Sequence, residues 1–189
     1  VSRYVSVGTW GIVSAVSMND SPFDRLLPDA LKSTVSALSR LAARLNDVRV
    51  RVDDGRNFLL LSGEQFDVIT ADIIQPIHAG AGNLYSREYF QLVADALADD
   101  GLVLQWIGHR PDSQYKLIMR TFLDVFPYTT LWADGQLMVG AKRPWRLARA
   151  PFEAKRSRPV TRAALDEIGL DSFETLTSWY VAGPEDLRR

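Results

Sequence analysis

Three strand-like runs in this 189-residue chain each lead into polar groups that could bind a ligand or move a proton. VRVRV runs into Asp53-Asp54-Gly55, FDVITAD closes on Asp72, and LVLQWI carries Gln105 shortly before His109. A carboxylate in such a place accepts hydrogen bonds from N–H groups and can serve as a general base. After Asp72 comes IIQPIHAGAGNLYS, a long connection holding Pro76, Gly80 and Gly82. Long loops inside a compact domain are often binding loops or lids. Other chemistries are excluded. The chain has no cysteine, hence no disulfide, thiolate nucleophile or sulfur-ligated metal. Its two histidines, His78 and His109, lack metal-ligand spacing, so no metal is expected.

The elements that must position these groups follow from periodicity. Residues 29–46 place Leu31, Val35, Leu38, Ala42 and Leu45 on one stripe of an amphipathic helix. Val48 to Val52 alternate as a strand, and 66–72 read as a strand covered on both faces. Ser86 can cap a helix reaching about Ala98, which Asp99-Asp100-Gly101 breaks before a third strand over 102–107. Asp112 is then expected to cap a helix whose Tyr115, Ile118, Met119, Phe122 and Phe126 share a face, ended by Pro127. Strands over roughly 128–132 and 137–141 flank Ala133-Asp134-Gly135, a hairpin turn signal. Short helices are expected over 162–168 and 172–179.

Alternation of this kind predicts an α/β fold, a doubly wound and mostly parallel sheet with a C-terminal antiparallel hairpin. Ligands of such sheets bind beyond the carboxyl ends of the strands, where Asp54, Asp72 and Gln105 would lie along one edge. Three regions are expected: a divergent N-terminal segment, 1–46; an α/β core, 47–141; and a helical extension, 142–189. With 22 basic and 23 acidic residues, no strong field draws the chain to nucleic acid or to anionic membrane. Residues 4–18 are too short and too polar a stretch to span a bilayer and read as a strand or two with a glycine turn. A cytoplasmic location is the expectation.

The stretch from Asp53 to Ile107 resembles the spermidine synthase (polyamine aminopropyltransferase) family. The likeness rests on Asp54-Gly55 before Phe58-Leu59, on Phe66-Asp67-Val68-Ile69 leading to Asp72, on Leu84-Tyr85-Ser86 at a helix start, and on the strand from Gly101 to Gln105. It covers about residues 47–141 and is similar to the bacterial branch in which such a domain can be fused to membrane segments. The resemblance implies the Rossmann-like fold of S-adenosylmethionine-dependent methyltransferases. It implies transfer of an aminopropyl group from decarboxylated S-adenosylmethionine, the co-substrate, to a diamine such as putrescine. Asp72 would be the catalytic residue and Asp54 with Gly55 would hold the nucleoside. Gln75, Tyr85, Gln105 and Trp132 would line the amine side.

Departures from the family pattern bear on that expectation. Gln75 stands where the family has a second aspartate, so a charge that would anchor an amine is replaced by an amide. The glycine-rich turn after the first strand has one candidate, Val5-Ser6-Val7-Gly8-Thr9-Trp10-Gly11. No strand ending in a ribose-binding acid is expected between Met18 and Asp29, and the first ~40 residues do not resemble the family. Missing first strands would bare a sheet edge and favour a homodimer. Two other functions are therefore kept: a small-molecule methyltransferase using S-adenosylmethionine itself, and a non-catalytic nucleoside- or polyamine-binding relative.

Overall fold

FDVITAD forms the middle of the sheet. In the computed structural model, which describes residues 4–8, 12–13, 51–52, 54–72, 81–108 and 111–189, this strand (β4, Phe66–Asp72) pairs on both sides with parallel neighbours. One is β1 (Tyr4–Gly8) and the other is β5 (Leu97–Trp106). The remaining strands are β2 (Ile12–Val13), β3 (Arg51–Val52), β6 (Thr130–Trp132), β7 (Leu137–Gly140) and β8 (Tyr180–Ala182). Across the sheet the order is β3-β2-β1-β4-β5-β7-β6-β8.

The α/β fold is as expected, but its parallel part is narrow. Every other neighbouring pair, from β1–β2 to β6–β8, is antiparallel. Connection length gives the reason for β1 and β2. Three residues separate Gly8 from Ile12, whereas a parallel return needs a crossover of a dozen or more. The first strand is also present and central, beside β4, where an eroded N-terminus had been expected to leave an open edge. The amphipathic segment 29–46 lies outside the described residues.

Three helices alternate with the strands in the chain. They are α1 (Gly55–Ser62), α2 (Arg87–Ala96) and α3 (Asp112–Val125), with α2 in contact with both others. Ser86 caps α2 as expected, its hydroxyl accepting from the Tyr89 N–H at 3.2 Å. Pro111, not Asp112, takes the cap position of α3, and Asp112 contributes its charge to the first turn instead. Phe122 of α3 meets Phe90 of α2 edge-on at 5.0 Å and Phe126 at 4.8 Å. A Cβ on Gly140 would stand 2.7 Å from the Phe122 ring, so β7 can approach α3 only with glycine there.

Asp99-Asp100-Gly101 does not end a helix; it lies inside β5. Leu97 and Leu102 face Phe66 and Val68, so β5 carries extra residues opposite Asp67, a bulge that bends the strand. Lys142 and Arg143 hold the bulge, Arg143 at 2.6 Å from Asp99 and Lys142 donating to the Leu97 carbonyl at 2.6 Å. Beyond them come α4 (Arg149–Arg156), α5 (Pro159–Glu167) and α6 (Phe173–Ser178). Sequence periodicity had suggested no strand here, yet β8 closes the sheet beside β6. Among the described residues, no helix is long and apolar enough to cross a membrane.

Candidate functional site

Strand register gathers the candidate residues into one line. Gly8, Asp72, Trp106, Leu137, Trp132 and Tyr180 are successive cross-strand partners at the end of the sheet where β1, β4 and β5 finish. Two antiparallel steps, β1 to β2 and β2 to β3, make β3 run with β1, so Asp54 follows its strand at that same edge. Asp72 therefore ends β4 between Gly8 and Trp106, on the fourth of the eight strands in the sheet.

Asp54 and Gly55 form the start of α1. The Asp54 carboxylate accepts from the Asn57 N–H at 3.0 Å as the helix cap, and Gly55 is buried behind it. A carboxylate held this way faces outward from the helix start and is itself exposed. On α2, Tyr89 has a fully buried ring, and its hydroxyl has no partner among the described residues. Burial first, then the charges of Tyr85 and Asp54, push the Tyr89 hydroxyl far above the ordinary phenol range. It is therefore a neutral donor at any physiological pH. Nothing in the spacing singled out Tyr89, which reads as one more aromatic on an apolar helix face.

Tyr85 and Gln105 converge on a single atom. Tyr85 is buried and its hydroxyl donates to the Trp106 main-chain oxygen at 3.4 Å. The Gln105 Nε2 donates to the same oxygen at 3.1 Å and to the Ala71 oxygen at 3.4 Å. Gln105 is fully buried, and its Oε1 has no partner among the described residues. The same end of β5 is fastened to the hairpin. The Ile107 N–H donates to Gln136 O at 2.8 Å, and the Tyr115 hydroxyl donates to Gly135 O at 2.6 Å. Burial raises the Tyr115 pKa. Its hydroxyl, not only its ring, is what the helix contributes to this edge.

Trp132 lies in the row but three strand spacings from Asp72, roughly 14 Å. It is buried, its indole N–H donates to Thr130 Oγ1 at 2.7 Å, and Tyr180 packs on it edge-on at 5.3 Å. Its N–H is thus already engaged, and the exposed ring of this pair is that of Tyr180. Asp53, Gln75, His78 and His109 lie outside the described residues. Gly8 ends a central strand as the cross-strand partner of Asp72.

A sheet of this order, parallel at its centre and alternating with helices along the chain, is a Rossmann-like α/β fold. Human methyltransferase-like protein 13, solved in complex with SAH, superposes with a TM-score of 0.56 at 15% identity, over 88% of this chain and 82% of that one. The model of the spermine/spermidine synthase domain matches residues 28–119 of the chain. The chain is 28% identical over 137 residues to the polyamine aminopropyltransferase of Bacillus subtilis (strain 168), covering 68% of this chain and 49% of that protein. Spermidine synthase from Thermotoga maritima aligns over 61% of this chain and 43% of its own, with 23% identity and a TM-score of 0.46. The chain spans half or less of the length of the curated relatives that it matches.

Proposed function

We propose that this chain carries an aminopropyltransferase site, taking decarboxylated S-adenosylmethionine as donor and a diamine such as putrescine as acceptor. The observation that supports it most is the place of Asp72, which ends the central strand between Gly8 and Trp106. In the reaction the amine lone pair attacks the aminopropyl carbon beside the sulfonium. The C–S bond breaks, its electron pair goes to sulfur, and methylthioadenosine leaves. A new C–N bond forms. The acceptor must first lose a proton, since alkylamines have pKa values near ~10, as lysine does. Asp72 takes that proton and orients the nitrogen in line with the bond that breaks.

Asp54 then accepts from the nucleoside base, while Gly55 lets the ring come close to the start of α1. We assign Tyr85, Gln75 and Trp132 to the amine side, with Gln105 acting from beneath, its two amide N–H donors already engaged by the Trp106 and Ala71 oxygens. An amide at 75 in place of a carboxylate weakens the hold on a second ammonium, so the acceptor is bound less by charge than in an enzyme with two acids. Fold likeness alone would equally fit a methyltransferase. Titration separates the two: methylthioadenosine binding that putrescine strengthens belongs to aminopropyl transfer, whereas S-adenosylmethionine binding indifferent to amines belongs to methyl transfer.

Asp72→Asn tests the assignment of the base. Transfer is expected to fall by roughly 10²- to 10⁴-fold, with methylthioadenosine affinity nearly unchanged. Normal turnover by the variant would remove Asp72 from the chemistry.

A further inference from the structure

We infer that Gln105 is a positioning residue for Asp72, acting through main-chain atoms of β4 and β5; the inference rests on the reading of Asp72 as the base. An amide nitrogen offers two N–H donors, and the structure gives both a carbonyl acceptor. One is Trp106 O at 3.1 Å and the other is Ala71 O at 3.4 Å. Ala71 is the residue before Asp72, and Trp106 is the cross-strand partner of Asp72. The amide therefore joins the peptide that leads into Asp72 to the strand end beside it. Only a nitrogen can face two carbonyl oxygens, which fixes the orientation of the amide.

Tyr85 adds a third bond to the Trp106 oxygen, at 3.4 Å. The chain thus leaves β4 at Asp72, beside Trp106, and is tied back to Trp106 at Tyr85. Both ends of the connection after the base are fixed to one peptide unit, and Gln105 holds that unit from the buried side of the sheet. A fully buried side chain whose donors are both engaged cannot donate to a substrate. A polar residue there is otherwise costly, because its Oε1 lacks a partner among the described residues. An apolar residue would pack in this place with less penalty. The amide earns its place by what it does to the two strand ends.

Gln105→Met is the variant to make, because it keeps the side-chain volume and removes both donors. The purified variant is expected to keep the thermal midpoint of the parent. Deuterium exchange at the amides of residues 70–72 and 105–107 should become roughly tenfold faster, since their carbonyl tethers are lost. With methylthioadenosine bound equally well, kcat for putrescine should fall roughly 10- to 100-fold while its KM stays within about twofold. Unchanged exchange at both strand ends would overturn the inference, and so would a raised KM with unchanged kcat, the mark of direct contact with the amine. Should the parent chain transfer no aminopropyl group, the proposed function fails, and exchange still decides whether Gln105 ties the strand ends.

Discussion

Residues 54–141 and residues 142–189 are held together by different forces. The first part is organised around rings and aliphatic groups with no access to solvent, among them Tyr89, Phe90, Phe122, Phe126, Ile69 and Met138. At its carboxyl edge Tyr85, Gln105 and Tyr115 donate from buried or half-buried side chains to main-chain oxygens. In the second part the three helices α4, α5 and α6 bury none of their residues. They are joined by exposed or half-exposed ion pairs, Arg149 with Glu174 and Arg156 with Asp166, and by Phe152 against Phe173. Burial fixes the geometry of a site to fractions of an ångström, while solvated charges do not. The described candidate residues, Asp54, Gly55, Asp72, Tyr85, Gln105 and Trp132, lie in the first part.

The sharpest way to break this contrast is to remove a ring from the core. Phe122→Ala takes away the ring between Phe90 and Phe126 and leaves a cavity beside Gly140. A loss of about 3–5 kcal/mol is expected, read as a lower urea midpoint with unchanged slope. A loss under ~1 kcal/mol would mean that α3 is not held by this cluster and that the two parts differ less than their burial implies.

Asp54 gives a smaller effect at the boundary between structure and function. Because its carboxylate caps α1, Asp54→Ala is expected to cost about 1 kcal/mol of stability, whatever it does to a nucleoside. Asp54→Asn retains a capping oxygen and should cost at most a few tenths of that value. Weaker methylthioadenosine binding in the asparagine variant would then report on the charge alone. Equal stability of the alanine variant and the parent would show that the cap contributes nothing to holding α1.

Much of the buried part was legible in the sequence because burial writes a period. The run 66–72, the Ser86 cap and the stripe from Tyr115 to Phe126 each led to the observed element. What escaped has physical causes. Asp99-Asp100-Gly101 has turn chemistry, but a bulge satisfies the same residues while the strand continues. Tyr4–Gly8 was read as a strand, but its place beside β4 depends on pairing across some sixty residues, which no local pattern records. The same holds for β8, three residues whose partner lies on β6. At the site, motif and resemblance pointed to Asp54, Asp72, Tyr85 and Gln105. Neither could show that Tyr85 and Gln105 share one carbonyl, nor that the Trp132 indole N–H is taken by Thr130.

The smallest expected effect lies in the charged part and carries its own sign. The hydrogen bond from Arg149, before any other cause, holds Glu174 below the usual glutamate range. Asp171 is lowered in the same direction, by the Thr175 hydroxyl first and Ser172 next. A carboxyl whose folded pKa is depressed contributes its full stabilisation above its unfolded value. That contribution is lost as pH falls from the ordinary acid range near ~4 through the lower folded value. Both groups are fully exposed, so screening by salt acts in the same sense. Acidification below about pH 4, or molar salt, should therefore speed deuterium exchange in α4 and α6 while α2 and β4 stay protected. Glu174→Gln should do the same at neutral pH, with no resolvable change in the global midpoint. If α2 and β4 opened together with α4, the extension would be coupled to the core through β8 and its pairing with β6. The contrast between the two parts would then be one of composition and not of cooperativity.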